Sequence, residues 1–290
     1  MKKIYLLVGI LLFIIACSKT KKEYYSNGEI KKEYTKVKGK IHGEIKEYYE
    51  NGNLKGVQKF QYGKLKDSIK IYRNDKLNSL EKIINPVNDS IFELLYFDTH
   101  NKLAYAGKVD KNDDKIGKWV YYKEELDSIV EFVRYKGEPY FNQEWLIDKQ
   151  GDTLHHKSNY YKLEAKDTVK LGSVLDFYFY LKQPFFSGDS EIEINIPKEG
   201  YRFNYDFSNI DEIELETVPN LKKLGRDTSK YPKNYPLNHF ANFGIEFDGV
   251  GLKKIRGILK EFDTDSSKAK DDRWERWLFF EKEVYVKDSL

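Results

Sequence analysis

Tyr24-Tyr25-Ser26-Asn27-Gly28-Glu29-Ile30-Lys31 is repeated, 24 residues on, as Tyr48-Tyr49-Glu50-Asn51-Gly52-Asn53-Leu54-Lys55. In each copy an Asn-Gly pair separates two tyrosines from an aliphatic residue and a lysine. Aromatic and β-branched residues favour strands, and Asn-Gly favours the tight turn between them. The reading is a β-hairpin with a two-residue type I′ turn, needing φ > 0 at both Asn27 and Gly28, and again at both Asn51 and Gly52. Gly39-Lys40 recurs as Gly63-Lys64 at the same offset. Eroded copies follow at Tyr72-Arg73-Asn74-Asp75-Lys76-Leu77 and at Tyr96 to Leu103. Further units open at Gly117-Lys118-Trp119 and at Trp145. One hairpin is marginal alone, so the copies are expected to stack. Tyr25, Tyr49 and Tyr72 then form a ladder along one face, rings packed and hydroxyls at the water edge.

After Tyr161 the pattern changes. Ile192, Ile194 and Ile196 alternate with polar residues up to Pro197, and Val174–Leu181 is a longer apolar run. More strands are expected at Tyr201–Phe207, Ile213–Val218, Phe240–Phe247, Gly251–Glu261 and Trp277–Val286, with a long loop at Pro219–Pro236. About seven strands with turns between them predict an antiparallel sandwich. The fold class is therefore all-β: a hairpin-repeat region over 22–161 and a β-sandwich over 162–290, joined near Tyr161–Asp167 as two separable domains.

The N-terminus carries a different signal. Lys2 and Lys3 precede an apolar run, Ile4 to Ile15, shorter than the roughly 20 residues of a membrane span. The run ends in Ile14-Ile15-Ala16-Cys17, and Cys17 is the only cysteine in the chain. This resembles the lipobox of bacterial lipoproteins. The resemblance implies a signal peptide over 1–16, lipidation of Cys17, and a tether over 17–21. Two or more acyl chains would anchor the chain stably. Surface-exported lipoproteins of Bacteroidetes-type bacteria usually carry an acidic cluster after the cysteine. Here Ser18-Lys19-Thr20-Lys21-Lys22 stands instead, which points to the periplasmic face of an outer membrane.

The repeats resemble the MORN family in its antitoxin-like variant, carried by Gly43, Tyr48, Tyr49, Asn51, Gly52, Leu54 and Lys55. That family forms elongated sheets of hairpins used for scaffolding or binding. An anchor outside the cytoplasm argues against an antitoxin role. The second half is similar in general shape to immunoglobulin-like domains of bacterial envelope proteins.

Chemistry is sparse in the sequence. With Cys17 lipidated, disulfides, a cysteine nucleophile and thiolate metal sites drop out. Lys+Arg of 50 against Asp+Glu of 47 gives no basic field for nucleic acid. His155 and His156 are adjacent, so on a strand they face opposite ways and do not chelate one metal. Asp110-Lys111-Asn112-Asp113-Asp114 begins like a calcium loop but has Lys115 and Tyr121 where glycine and glutamate belong, so it reads as a polar hairpin loop. No catalytic motif is present. The expectation is a non-enzyme, with no metal and no cofactor, that binds an unidentified envelope protein. The rival is glycan or peptidoglycan binding by exposed aromatics, and a hydrolase with scattered carboxylates ranks third. Tyr25, Tyr49, Tyr72, Trp119 and Trp274 are the candidate binding residues. Trp277 is expected in the core and Trp274 at an edge.

Overall fold

The structure is a computed structural model and describes residues 19–186, 190–225, 236–264 and 274–288. Residues 1–16, expected as a signal peptide, and Cys17 lie outside the described residues. Strand makes up 60% of the described residues and helix 3%, so the all-β expectation holds. The chain divides into two compact units, residues 1–87 with 94–103, and residues 88–93 with 104–290.

The first unit is a run of antiparallel neighbours: β1 (Lys19–Tyr24), β2 (Ile30–Val37), β3 (Lys40–Tyr48), β4 (Leu54–Gln61), β5 (Lys64–Leu65), β6 (Ile69–Tyr72) and β7 (Leu80–Pro86). Residues 19–21, expected as tether, already pair with Lys36, Thr35 and Tyr34 of β2.

The turns differ from the expectation in an instructive way. Gly28 (φ 89°) and Gly52 (φ 84°) are left-handed, but Asn27 and Asn51 are not. The Gly28 N–H bonds Tyr25 O at 3.1 Å, and the Tyr25 N–H bonds Glu29 O at 2.8 Å. That is a three-residue loop with a bulge at glycine, not a type I′ turn. Asn27 contributes its side chain instead, Oδ1 accepting the Glu29 N–H at 3.0 Å, which fixes the loop without left-handed strain at asparagine. The two-residue turns with both φ positive sit at the other end of the strands, at Lys38-Gly39 and Tyr62-Gly63.

The second unit opens with β9 (Leu103–Asp110), β10 (Lys115–Tyr121), β11 (Asp127–Tyr135) and β12 (Glu138–Ile147), again antiparallel neighbours; β8 (Ile91–Phe97) straddles the division. The calcium-like stretch is a hairpin loop, as expected. Asp110 Oδ1 accepts the N–H of Asn112 at 2.8 Å and of Asp114 at 3.1 Å, and its Oδ2 pairs with Arg134 at 2.6 Å.

Next come β13 (Tyr161–Glu164), β14 (Thr168–Lys170), β15 (Val174–Leu181), β16 (Ser190–Pro197), β17 (Leu215–Pro219), α1 (Leu221–Leu224), a 3-10 turn (Leu237–His239), β18 (Phe240–Glu246), β19 (Gly251–Asp263) and β20 (Glu275–Lys287). Two sheets form, in the orders β13-β15-β18 and β14-β20-β19-β16-β17. Only β14 against β20 is parallel among these pairs. Phe177, Phe179, Leu181, Ile192, Ile194, Leu259, Leu278 and Phe280 fill the space between the sheets. Each such side chain contributes about 1.5–3 kcal/mol by leaving water.

Two expectations fail here. Tyr201–Phe207 is not a strand but a series of turns, with Phe207 at φ 55°. Asn209 competes for the backbone: Oδ1 accepts the Asn204 N–H at 2.8 Å, and Nδ2 donates to Arg202 O at 2.9 Å. Its two phenylalanines are still buried, Phe203 and Phe207 packing with Ile258 and Phe279 in a second core. Within Pro219–Pro236, read as loop, Leu221–Leu224 is a helical turn capped by Asn220 and closed by Gly225 at φ 59°.

Side chains of β12 and the segment after it line the edge of β20. Asn142 Oδ1 accepts the Phe279 N–H at 2.7 Å, and Nδ2 donates to Phe279 O at 2.8 Å. Tyr140 Oη donates to Trp277 O and Tyr161 Oη to Phe279 O, both at 3.0 Å. These bonds cross the position, Tyr161–Asp167, where the sequence pattern changes.

Candidate binding groove

The tyrosines singled out in the repeats are tied into the scaffold. Tyr25 Oη donates to Tyr48 O at 2.7 Å, and Tyr49 Oη to Tyr72 O at 2.8 Å. Each hydroxyl thus satisfies a carbonyl of the next repeat rather than facing water. Tyr72 occupies the position of Tyr24 and Tyr48, not of Tyr25 and Tyr49, so it is not the third rung. Arg73 is: its guanidinium donates to Asp98 O at 3.1 Å and also to Phe97 O. The alignment holds this signal, since Arg73 follows Tyr72 as Tyr49 follows Tyr48.

Trp119 is 1% exposed and belongs to the core. Its Nε1–H donates to Lys108 O at 3.0 Å, its ring lies against Gly107, and Lys115 Nζ sits 4.8 Å from it. It therefore offers no face to a ligand. Trp274 is 67% exposed, while Trp277 packs on the second core, as expected. Among the described residues no cluster of His, Cys, Asp and Glu is arranged to hold a metal.

A buried polar group went unseen in the sequence. Ser190 Oγ lies 2.9 Å from His239 Nε2 and 3.1 Å from Glu261 Oε1, and Arg276 is 3.6 Å from Glu261 Oε2. Burial raises the Glu261 pKa and lowers those of His239 and Arg276. The residue types suggest a nucleophile, a base and an acid, but the wiring differs. Glu261 contacts the serine, not the histidine, and His239 Nδ1 has no partner among the described residues. A triad needs the acid on the far ring nitrogen to orient the base. This cluster instead ties β16, β19 and the 3-10 turn together.

The site that offers both space and unused bonding capacity lies at the mouth of the sandwich. β13 pairs with β15 only from Tyr161↔Leu181 to Glu164↔Tyr178. The chain then crosses to the opposite sheet, where Thr168–Lys170 pair with Tyr285–Lys287. On its other edge β15 pairs with β18 from Val174 to Tyr180. Among the described residues, Val174–Phe177 therefore have no strand on the β13 side. The gap opens into a groove of about 990 Å³. Leu163, Ala165, Val169 and Leu175 form its apolar floor, and Glu164, Lys166, Lys170, Asp176 and Lys287 stand around it. Val174 is 59% exposed at its lip. Glu164 is held by Lys162 at 2.5 Å.

A second cleft, of about 750 Å³, lies where Tyr201, Arg202, Phe203 and Tyr205 meet Lys253 and Arg256. Tyr205 is 70% exposed there. No family model, no curated protein and no solved structure matches this chain.

Proposed function

We propose that the chain is a non-enzymatic lipoprotein of the bacterial cell envelope, anchored through acylated Cys17 to the outer membrane and facing the periplasm, which binds a protein partner. The lipobox-like sequence supports the anchor. The groove beside Val174–Phe177 is the observation that carries the binding role, because it joins an apolar floor to a strand edge without a neighbour. The MORN-like hairpins serve as a scaffold in this reading. The sandwich is immunoglobulin-like in it, since the first strand of the half is shared between the two sheets as β13 and β14. The test has two parts. Cys17→Ala is expected to release the chain from the membrane fraction, and retention there would refute the anchor. A photoreactive residue at Val174 is expected to crosslink one protein in intact cells. Labelling of lipid or cell wall alone would refute the partner class.

A second reading has its own support. Exposed Tyr205 and Tyr201 beside Arg202 suit a sugar ring with an anionic group, which favours glycan or peptidoglycan binding at the second cleft. Co-sedimentation with purified peptidoglycan, lost in Tyr205→Ala, would establish it. Equal sedimentation of both forms would exclude this cleft.

A further inference from the structure

We infer that one end of the first unit, formed by the turns at Lys38-Gly39 and Tyr62-Gly63, rests on the anionic phospholipid surface in which Cys17 is anchored. This rests on the anchor reading above and specifies which end of the hairpin sheet meets the membrane.

Strand direction places the anchor. Cys17 stands two residues ahead of Lys19, a reach of no more than about 7 Å. Lys19 opens β1 opposite Lys36 of β2, and Lys36 lies two residues before the Lys38-Gly39 turn. The second turn lies beside the first. The Gly63 N–H bonds Ile41 O at 2.7 Å, and a Cβ at Gly63 would stand 3.8 Å from Lys40 Cβ. Neighbouring strands are about 4.8 Å apart, so both turns lie within roughly 20 Å of the start of β1.

That end of the sheet is cationic and the other is not. Val37–Lys40 and Gln61–Lys66 hold Lys38, Lys40, Lys64 and Lys66, all exposed, and no carboxylate. Among the described residues none of the four has an ion-pair partner. The carboxylates next to them in the chain are engaged, Glu44 with Lys46 at 3.8 Å and Asp67 with the Ser68 N–H at 2.8 Å. The loops at the opposite end, Ser26–Glu29 and Glu50–Asn53, hold Glu29 and Glu50 and no lysine. Lysines often guard a sheet edge against pairing, but Lys38 and Lys40 close an inner hairpin, flanked by β1 and β4.

Backbone conformation is an independent sign. Lys38 and Tyr62 both sit at φ 50°, a turn position that asparagine or glycine takes at less cost. Their side chains thus stand there against local preference. Tyr62 is 50% exposed, with the His42 ring 4.6 Å away between centroids. Lysines and a half-exposed tyrosine on one rim suit phosphate headgroups and the boundary beneath them. Each lysine near such a surface is worth about fivefold in binding, and the attraction is screened beyond about 8 Å at physiological salt. The contact therefore orients the anchored unit without replacing the acyl chains, and Cys17→Ala is still expected to leave the membrane fraction.

The test uses the mature chain, residues 17–290 with Cys17→Ser and no lipid, sedimented with vesicles in about 0.1 M salt. Binding is expected to vesicles of phosphatidylcholine and phosphatidylglycerol, and to be weaker by about tenfold or more with phosphatidylcholine alone. K38E/K64E is expected to lose about tenfold or more on the anionic vesicles. K55E/K76E makes the same change of net charge at exposed positions of the opposite end. That end is roughly 25 Å away, beyond the screening length, so a change within about twofold is expected. Near-UV circular dichroism checks the fold of both variants. Equal losses in the two would overturn the inference, because binding would then follow net charge and not this end. Absence of binding to the anionic vesicles would also overturn it, and would leave the Cys17 reading standing, since the chain tested carries no lipid. Binding to purified peptidoglycan that K38E/K64E abolishes, without binding to vesicles, would assign these lysines to the cell wall and overturn it as well.

Discussion

Replacing Asn142 with alanine tests whether the last hairpin and the sandwich are one cooperative body. Asn142 is fully buried and works as a one-residue strand for β20, accepting from the Phe279 N–H and donating to its carbonyl. The same amide donates to Glu131 Oε2 at 2.7 Å. Alanine leaves the Phe279 N–H without a partner, at about 1–3 kcal/mol. The Phe279 carbonyl keeps Tyr161 Oη, and Glu131 keeps Gln143 Nε2 at 2.7 Å, so those losses are partial. The sum is about 2–5 kcal/mol. For a unit of this size that lowers Tm by about 5–15 °C. Asn142→Asp is expected to be worse at neutral pH, since it sets two carboxylates together, and to recover part of the loss in mild acid. The assay is thermal unfolding of the full chain followed by near-UV circular dichroism. A loss under about 1 kcal/mol would refute the reasoning, as would an early transition confined to β11–β12. The same logic bears on the boundary at Tyr161–Asp167. A 162–290 fragment lacks Tyr140, Asn142 and Tyr161, so its β20 edge is bare and aggregation is expected. A fragment beginning at Ala104 is expected to melt cooperatively.

Gly52→Val places a β-branched residue at φ 84°, and is expected to destabilise the first unit by about 1–2 kcal/mol, with Gly52→Asn milder; equal effects in a urea titration would show that left-handed strain is not the cause. Arg73→Ala removes a charged donor to two carbonyls of the next repeat and should cost about 1.5–3 kcal/mol, while Arg73→Tyr restores the rung's consensus residue and should cost less; the reverse order in chemical denaturation would undo the ladder assignment. Burial and the bond to Glu33 push the Tyr48 pKa from 10.0 to about 12. The folded state therefore holds this proton more tightly than the unfolded chain, and the contribution is complete below 10.0 and lost as pH rises toward 12. Tyr48→Phe is expected to flatten that alkaline loss, and an unchanged slope of stability against pH would refute it. Gly107→Ala sets a Cβ against the buried Trp119 ring and should cost about 1–3 kcal/mol by overpacking, read from the melt of the second unit; a neutral result would show that the indole can shift.

What the residues settled by themselves is local. The 24-residue spacing of Tyr-Tyr and Asn-Gly yields hairpins because turn and strand preferences act over a few neighbouring bonds. β16 was legible because alternation along a strand needs only a buried face on one side, and β15 because it is a run of apolar residues ahead of Pro184. Turn type was half legible: Gly28 and Gly52 had to be left-handed, but the side chain of Asn27 could fix the loop without adopting that conformation itself. Tertiary structure decided the rest. Trp119 reads like an exposed aromatic in sequence and is core, because the close approach of a strand that carries Gly107 makes room for its ring. Tyr201–Phe207 has the period of a strand, yet Asn209 takes its backbone, and only Phe203 and Phe207 are buried, against Ile258 and Phe279. The groove exists because the chain changes sheets between Glu164 and Thr168, leaving Val174–Phe177, among the described residues, without a strand on the β13 side. No local preference encodes that vacancy, since it depends on where strands distant in sequence happen to end beside one another.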